Sequence, residues 1–466
     1  MPTTCAHPEN SPFQDLGDSW WSSAKLFWRY GYSPATTRSL VKDMVASFLQ
    51  LYSPQFLHEK RPSNVTEDGF PWSSVEDIAK ALEFDDAAAT DAHTWFYSKG
   101  VSQLFVEELV EAATRVNYGQ NTDEIHALGA GVSLAASGAK GVQGGNNRIF
   151  QELAAKSGAR LYLAEHGEVT GIVRLQNVAQ AVERNLISKV QAAGLTHEFD
   201  QPKWWVGTSA GTGSLYDAVF VGAPWHTAGI TLMGTEAVIP VKKYVHLHVT
   251  LIATNASHPK AQYFGRTEGS DVPTTILTTY EAERKKARGS IASKDTSIGR
   301  LLHSWWPGRL SRPHTLAKEL RLNFNSLNYI AKLPKRAKGS DDEHLVKIFS
   351  REQLCDQLLD ELFGLNRIGW IHREEWDAYP ELHPTRDFPA IQPDTGLFYI
   401  NAFETLVSTM ETSTVASRNA VALLLMRWYG SDFVHGRNCK FAGEQKDGDD
   451  DGDFRDGWDG WGCVSG

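Results

Sequence analysis

The stretch Arg115–Arg148, RVNYGQNTDEIHALGAGVSLAASGAKGVQGGNNR, narrows the architectures open to this chain more than any other segment. It begins with Asn117-Tyr118-Gly119-Gln120, which follows a good helical pattern and cannot continue it. It ends with Val142-Gln143-Gly144-Gly145-Asn146-Asn147, a glycine pair that feeds directly into a second helical pattern. Glycines let backbone N–H groups approach a ligand, and the helix N-terminus behind them carries positive partial charge. The stretch therefore reads as a ligand cradle flanked by helices. A plain glycine-rich connection between two helices is the alternative for the GGN turn taken alone.

A chain of 466 residues has room for one large core or two to three ordinary domains, so length leaves the domain count open. The net charge of −10 argues against a nucleic-acid partner, because no broad basic face is available to neutralise phosphates. No run approaches the roughly 18 apolar residues of a membrane-spanning helix. Met1 to Asp18 is polar with prolines and lacks the apolar region of a signal peptide. Cys5, Cys355, Cys439 and Cys463 show no CxxC spacing and decide nothing about redox compartment.

In chain order, Leu40, Val41, Met44, Val45, Phe48, Leu49 and Tyr52 fall on one stripe, predicting a helix from Thr37 to Tyr52 ended by Pro54. A second helix is predicted over Val101–Val116, with Leu104, Phe105, Leu109 and Val116 inside and Glu107, Glu108 and Glu111 outside. Ile149–Lys156 reads as a short helix stopped at Gly158, followed by strands near Arg160–Ala164 and Glu168–Leu175. Periodicity leaves Val178–Ala192 as either helix or insertion. Asp217–Pro224 is a short apolar run of the kind buried in a parallel sheet. Tyr244–Ala253 alternates, with Val245, Leu247, Val249 and Leu251 on one face and Tyr244, His246, His248 and Thr250 on the other. That pattern predicts a half-exposed strand. Glu281–Arg288 and Pro334–Glu343 read as surface loops. Strand GLFYIN, a turn at Ala402-Phe403-Glu404 and helix Met410–Trp428 close the ordered part, before an acidic tail over 436–466.

Several motifs invite sharper chemistry and fail on context. Gly207-Thr-Ser209-Ala-Gly211 matches the nucleophile elbow of serine hydrolases, but that elbow needs a helix after it, and here a strand follows. His246 and His248 offer two metal ligands with no third in evidence, so a polar sheet face is the expectation. Asp447, Asp449, Asp451 and Gly452 copy half an EF-hand loop, with Trp458 where its last ligand belongs. Cys463-Val-Ser-Gly466 imitates a prenylation box with poor final residues. No metal is expected.

WWSSAKLFWRYG, ELVEAATRVNYGQN, VQGGNN, DAVFVGAP and LFYINAFE…NAVALLLMRWY, in this order from about Asp18 to Tyr429, together resemble the prenylcysteine oxidase (prenylcysteine lyase) family. The resemblance implies an α/β flavoprotein fold of the glutathione-reductase type, binding FAD, with a sheet-and-helix (α+β) substrate domain inserted. Flavin-side segments would be 117–175, 215–226 and 392–430, and substrate-side segments 18–116 and 227–391, with 1–17 a polar N-terminus. The family's reaction removes hydride from the prenyl C1 carbon of farnesyl- or geranylgeranylcysteine onto noncovalent FAD. Water adds, the adduct collapses to cysteine and a prenyl aldehyde, and oxygen reoxidises the flavin to give hydrogen peroxide. By the same resemblance, Gly144, Gly145, Asn146, Ala223, Pro224, Ala402 and Glu404 are the candidate cofactor contacts, expected around one cleft. A helix-entry or surface carboxylate is the alternative for Glu404. Asn117, Tyr118 and Gln120 are the candidate catalytic residues, positioning the cysteine end of the substrate or the attacking water; a helix C-cap that satisfies its own hydrogen bonds is their structural alternative.

The family also carries a secretory signal and an N-terminal strand–GxGxxG–helix unit that binds the FAD pyrophosphate. No such fingerprint occurs here, and the sequence is expected to be a truncated product of a longer gene. A prenyl-lipid binder without FAD is the competing function. Asn64-Val-Thr66 and Asn255-Ala-Ser257 are N-glycosylation sequons, consistent with a vacuolar or lysosomal destination for the full-length protein. Expression of the full gene in a eukaryotic host is expected to give a product whose gel mobility rises on enzymatic deglycosylation. Unchanged mobility would count against that destination.

Overall fold

A computed structural model describes residues 26–52, 70–135, 141–163, 167–188, 198–279, 324–334, 341–430 and 434. The expected acidic tail with its EF-hand-like run, the Cys463–Gly466 box, the 281–288 loop and the Asn64 sequon lie outside them. The architecture is mixed α/β. Strands run in chain order as β1 (Val169–Asn177), β2 (Glu198–Thr208), β3 (Gly213–Tyr216), β4 (Val219–Val221), β5 (Thr231–Met233), β6 (Tyr244–Thr254), β7 (Thr275–Leu277), β8 (Ser326–Leu333), β9 (Glu343–Ser350), β10 (Ile368–Pro380) and β11 (Leu397–Tyr399). The helices used below are α1 (Ser33–Leu49), α2 (Glu111–Tyr118), α3 (Asn147–Ser157), α4 (Asp356–Phe363) and α5 (Met410–Tyr429). Among the described residues no helix is long and apolar enough to cross a membrane. The chain divides into two compact units, one of 1–39, 91–134 and 244–379, the other of 40–90, 135–243 and 380–466.

The first unit is built on a five-stranded sheet of order β10-β6-β9-β8-β7. β6 carries the expected alternation only in its first half, where Val245, Leu247 and Val249 are buried and His246 is exposed. In its second half Thr250, Ile252 and Thr254 are buried as well. The reason is α4, whose Leu359, Leu362 and Phe363 pack with Ile252, Val346 and Ile348 and cover the face that the histidines leave open.

In the second unit, β3-β2-β1-β5 form a four-stranded sheet, and β4 and β11 pair as a separate two-stranded parallel ribbon. The Asp217–Pro224 run contains the parallel strand expected of it, over Val219–Val221, but not the expected burial: in a two-stranded ribbon only Val221 of the run is buried, and Phe220 is exposed. The expected hairpin at Gly207–Gly211 is present: β2 and β3 pair antiparallel, with Gly207 opposite Gly213. Both glycines lie under the Trp205 ring, where a β-carbon at either would sit 2.1–2.2 Å from ring carbons. Of the elbow-like glycines, Gly207 makes room for an indole and Gly211 takes φ +73° in the turn, and a strand follows them.

Three local expectations change. Residues 160–163 are exposed coil and not a strand, because alternation alone supplies no neighbour for the backbone N–H and C=O groups. The Val178–Ala192 segment, described as far as residue 188, holds a short helix, Val178–Glu183, capped by the Asn177 side chain accepting from Gln180 N. The second predicted helix does not run as one α-helix. Gln103–Phe105 is α, Val106–Val110 is a π turn, and α2 follows. The extra residue in the π turn rotates what comes after it, so Glu111, expected outside, is buried; Leu104, which precedes the turn, is exposed where the pattern put it inside.

α5 anchors residues near Trp72 by a side chain that mimics backbone. The Asn419 amide accepts from Trp72 N at 2.8 Å and donates to Trp72 O at 2.9 Å, with Asn419 fully buried. Asn419→Leu removes both partners from a buried peptide unit, so it should destabilise the fold by about 2–4 kcal/mol. A lower denaturation midpoint at unchanged m-value is the expected observation; an unchanged midpoint would mean that this bridge is not structural.

Candidate functional site

α2 runs two residues further than its periodicity indicated, so Asn117 and Tyr118 occupy its last turn and Gly119 ends it. Gly119 adopts φ +65°, and its N–H donates to Arg115 O at 3.2 Å. A β-carbon at Gly119 would meet Val245 Cγ1 at 2.9 Å, so the helix end lies directly on β6. Both the left-handed backbone and the close approach require glycine here.

Around this cap the polar side chains are buried and joined. Arg115 donates to Asn121 Oδ1 at 2.8 Å, Asn325 Oδ1 at 3.1 Å and Thr278 Oγ1 at 3.2 Å. Glu111, only 1% exposed, accepts from both Thr122 N and Thr122 Oγ1 at 2.7 Å. Burial raises the Glu111 carboxyl above the usual range; the Thr122 donors and the Arg115 charge pull in the other direction. Arg351 donates to Gly119 O at 3.1 Å and reaches Glu124, whose carboxylate accepts from Asn121 N at 3.1 Å. Asn117 donates to Ala113 O and Ser133 O, which fastens α2 to the helix that follows. Gln120 donates to Tyr118 O at 3.3 Å. Tyr118 is buried edge-to-face against Tyr379, with centroids 5.6 Å apart, and burial raises its hydroxyl well above the ordinary phenol range. The cap therefore makes its own hydrogen bonds and also holds a phenol and an amide beside a cationic cluster.

The candidate cofactor contacts fall into two groups, both in the second unit. Leu397, Phe398 and Tyr399 of β11 pair in parallel with Val219, Phe220 and Val221 of β4, and the Phe220 and Phe398 rings stack at 4.8 Å. Ala223–Pro224 and Ala402–Glu404 follow the carboxyl ends of these two adjacent strands, where α/β sheets place ligands. Tyr399 links them, because its hydroxyl accepts from Trp225 N–H and feels the Glu404 charge. Burial pushes that hydroxyl up to about 12. Ala402 is buried and Ala223 exposed, and a β-carbon on Gly222 meets nothing within 4 Å, leaving room for a planar ring against the backbone. Gly144, Gly145 and Asn146 form an exposed turn with hydrogen bonds inside its own segment. The Asn146 side chain accepts from Val142 N, and Arg148 donates to Gln143 O. Gly144 and Gly145 take φ +87° and +102°, conformations that need glycine, and α3 begins immediately after them. No residue of α3 is buried, and Phe150 and Leu153 are more than half exposed.

A cleft of about 520 Å³ lies at the opposite, amino-terminal end of β11, lined by Arg174, Thr235, Glu236 and Asp394 among others. Asp394 there pairs with Arg174 at 3.1 Å and accepts from Thr235. Neither this pair nor Arg115, Glu111, Thr278, Asn325 and Tyr379 as a cluster is legible in the sequence, because the members come from distant segments.

The family model described as prenylcysteine lyase matches residues 13–434. Farnesylcysteine lyase of Arabidopsis thaliana is 29% identical over 421 residues, covering 90% of this chain and 66% of that protein. Prenylcysteine oxidase 1 of Homo sapiens is 24% identical, covering 87% and 69%. The chain thus spans about two thirds of the length of these relatives. Among solved structures, a putrescine oxidase aligns with 84% of this chain and 75% of its own at 8% identity and a TM-score of 0.41.

The raised Glu111 carboxyl has a measurable consequence. A carboxyl whose folded pKa exceeds its unfolded value binds protons more strongly when folded. The stability it contributes is therefore complete below the ordinary value of about 4.5 and lost as pH rises through the folded pKa. Relative to Glu111→Gln, the wild-type protein should lose stability on going from pH 4 to pH 7. Parallel stability profiles for the two proteins would show that Glu111 titrates normally.

Proposed function

This chain belongs to the prenylcysteine lyase family, and we propose from that premise that it is the flavin-dependent oxidoreductase of prenylcysteine breakdown. The match over residues 13–434 carries the proposal. Its substrate would be farnesyl- or geranylgeranylcysteine, oxidised with oxygen as acceptor to cysteine, a prenyl aldehyde and hydrogen peroxide. FAD, when bound, supplies the two-electron acceptor for the C1–H bond beside the thioether sulfur. The residues after β4 and β11 suit a flavin, since exposed strand-end backbone at Gly222–Ala223 is open to a planar ring and Glu404 offers an acceptor for ribose or amide donors. Pro224 and Ala402 fix the backbone on either side. Gly144, Gly145 and Asn146 would serve at the α3 N-terminus, whose partial positive charge favours an anionic group.

In this proposal the α2 cap handles the polar end of the substrate. Tyr118, held protonated by burial, can donate but not act as a base near neutral pH. Gln120 offers an amide donor to the cysteine carboxylate, and Asn117, whose amide N–H groups are taken by Ala113 O and Ser133 O, offers its carbonyl oxygen to the water that adds at C1. The prenyl chain gains about 0.8 kcal/mol for each CH₂ removed from water, so affinity should grow with chain length. A lysosomal or vacuolar setting, with glycosylation at Asn255, fits the family; the Asn255 side chain is only partly buried.

The test uses the full-length gene product, incubated with FAD and farnesylcysteine in air. A visible flavin band with equimolar aldehyde and peroxide is expected. In the same protein Tyr118→Phe should lower kcat/KM by roughly tenfold or more, about 1.4 kcal/mol, at near-normal flavin content. A colourless, stable protein that binds farnesylcysteine without peroxide would overturn the oxidase in favour of a lipid binder. Unchanged turnover in Tyr118→Phe would return the cap to a purely structural role.

A further inference from the structure

The open half of the β6 face gathers donors that the sequence left unconnected. His246 and His248 are two residues apart on one strand, so both imidazoles project to the same side. β10 runs beside β6, and Glu375 faces the pair: its Oε2 lies 3.3 Å from His248 Nδ1 and 3.9 Å from His246 Nε2. One ligand atom from each of the three residues falls within 4.8 Å of the others. A tetrahedron whose centre is about 2.0–2.2 Å from nitrogen and oxygen donors has edges of about 3.3–3.6 Å, so the Glu375–His248 separation fits one edge and the His246 side chain would close by a few tenths of an ångström or more on binding.

The neighbouring groups hold this set in a ligating state. Asp377, two residues along β10, contacts His246 Nδ1 at 3.0 Å. A neutral imidazole that donates Nδ1–H to that carboxylate presents its lone pair at Nε2, toward Glu375, in the carboxylate–histidine arrangement that supports metal ligation. Arg373, the nearest cation on β10, is committed to Asp356 at 2.5 Å and Leu354 O at 3.2 Å. Glu374 instead contacts His372 at 2.9 Å. The recorded partners of Glu375 are thus the two imidazoles. A histidine pair on an ordinary polar sheet face would need no carboxylate directed between its nitrogens and no second carboxylate fixing a tautomer.

We propose that His246, His248 and Glu375 form a binding site for one divalent transition-metal ion of the zinc class, with Asp377 orienting His246. Two imidazoles and a carboxylate are borderline donors, which favour zinc, copper or nickel over calcium or magnesium. His246 and Glu375 are both more than half exposed, so a fourth position faces solvent and remains open to water or to an external ligand.

The experiment titrates zinc into tag-free, metal-stripped protein against a chromophoric chelator and repeats the titration with cobalt, whose visible spectrum reports its donors. One equivalent of zinc is expected, with a cobalt spectrum of mixed nitrogen and oxygen coordination. His246→Ala, His248→Ala and Glu375→Gln should each weaken binding at least tenfold at an unchanged melting temperature for the metal-free protein. Asp377→Asn, which keeps the shape and removes the orienting charge, should weaken it by roughly tenfold. Undiminished one-equivalent binding by the His246→Ala/His248→Ala variant would overturn the assignment. So would wild-type protein that gives no cobalt spectrum and no competition with the chelator.

Discussion

Arg115 is the residue on which the first unit depends. Its guanidinium sits buried and donates to Asn121, Thr278 and Asn325, groups from three separate stretches of chain. A buried cation without such partners would be costly, and with them it fixes the mutual position of α2, the loop after Gly119 and the edge of the β7–β8 region. Glu111, one turn earlier on the same helix, does the equivalent work for Thr122. The Asn117–Gln120 cap is therefore held from below by charge and from the side by Val245, and its side chains are placed by constraints outside their own segment.

The second unit is organised differently. Two short parallel strands with stacked phenylalanines carry little hydrogen bonding of their own, yet they bring Ala223–Pro224 and Ala402–Glu404 to one end, where Tyr399 ties the two loops through Trp225. Most of the apolar face of α3 stays exposed at the same time. Under the proposed function these features would share a purpose, since a flavin needs exposed backbone at strand ends and a helix N-terminus for its phosphates.

What the sequence revealed and what it hid divide along physical lines. Local rules worked where local forces decide: Gly158 ends α3, the Gly207–Gly211 run is a hairpin, and the Asp217–Pro224 run pairs in parallel. They failed where a partner from elsewhere decides. Ile252 is buried because α4 packs against it, residues 160–163 have no pairing strand among the described residues, and Glu375 joins a histidine pair from a strand more than a hundred residues away. The burial of Glu111 was hidden for a third reason. A period of 3.6 residues was extended through a stretch that does not keep it.

That interruption, the π turn at Val106–Val110, amounts to one residue more than an α-helix would use. It fixes the phase of everything after it. Removing one residue there would give regular α geometry and leave Glu111, Arg115 and Tyr118 facing as they do, because the turn absorbs its extra residue locally. Losing the π turn at unchanged length would instead carry these three residues about 100° around the axis. The guanidinium would then leave its three acceptors and the phenol would leave Tyr379, while no residue in the cluster itself had changed. The irregular hydrogen bonding of this segment is thus under constraint as much as the identity of the residues that it positions.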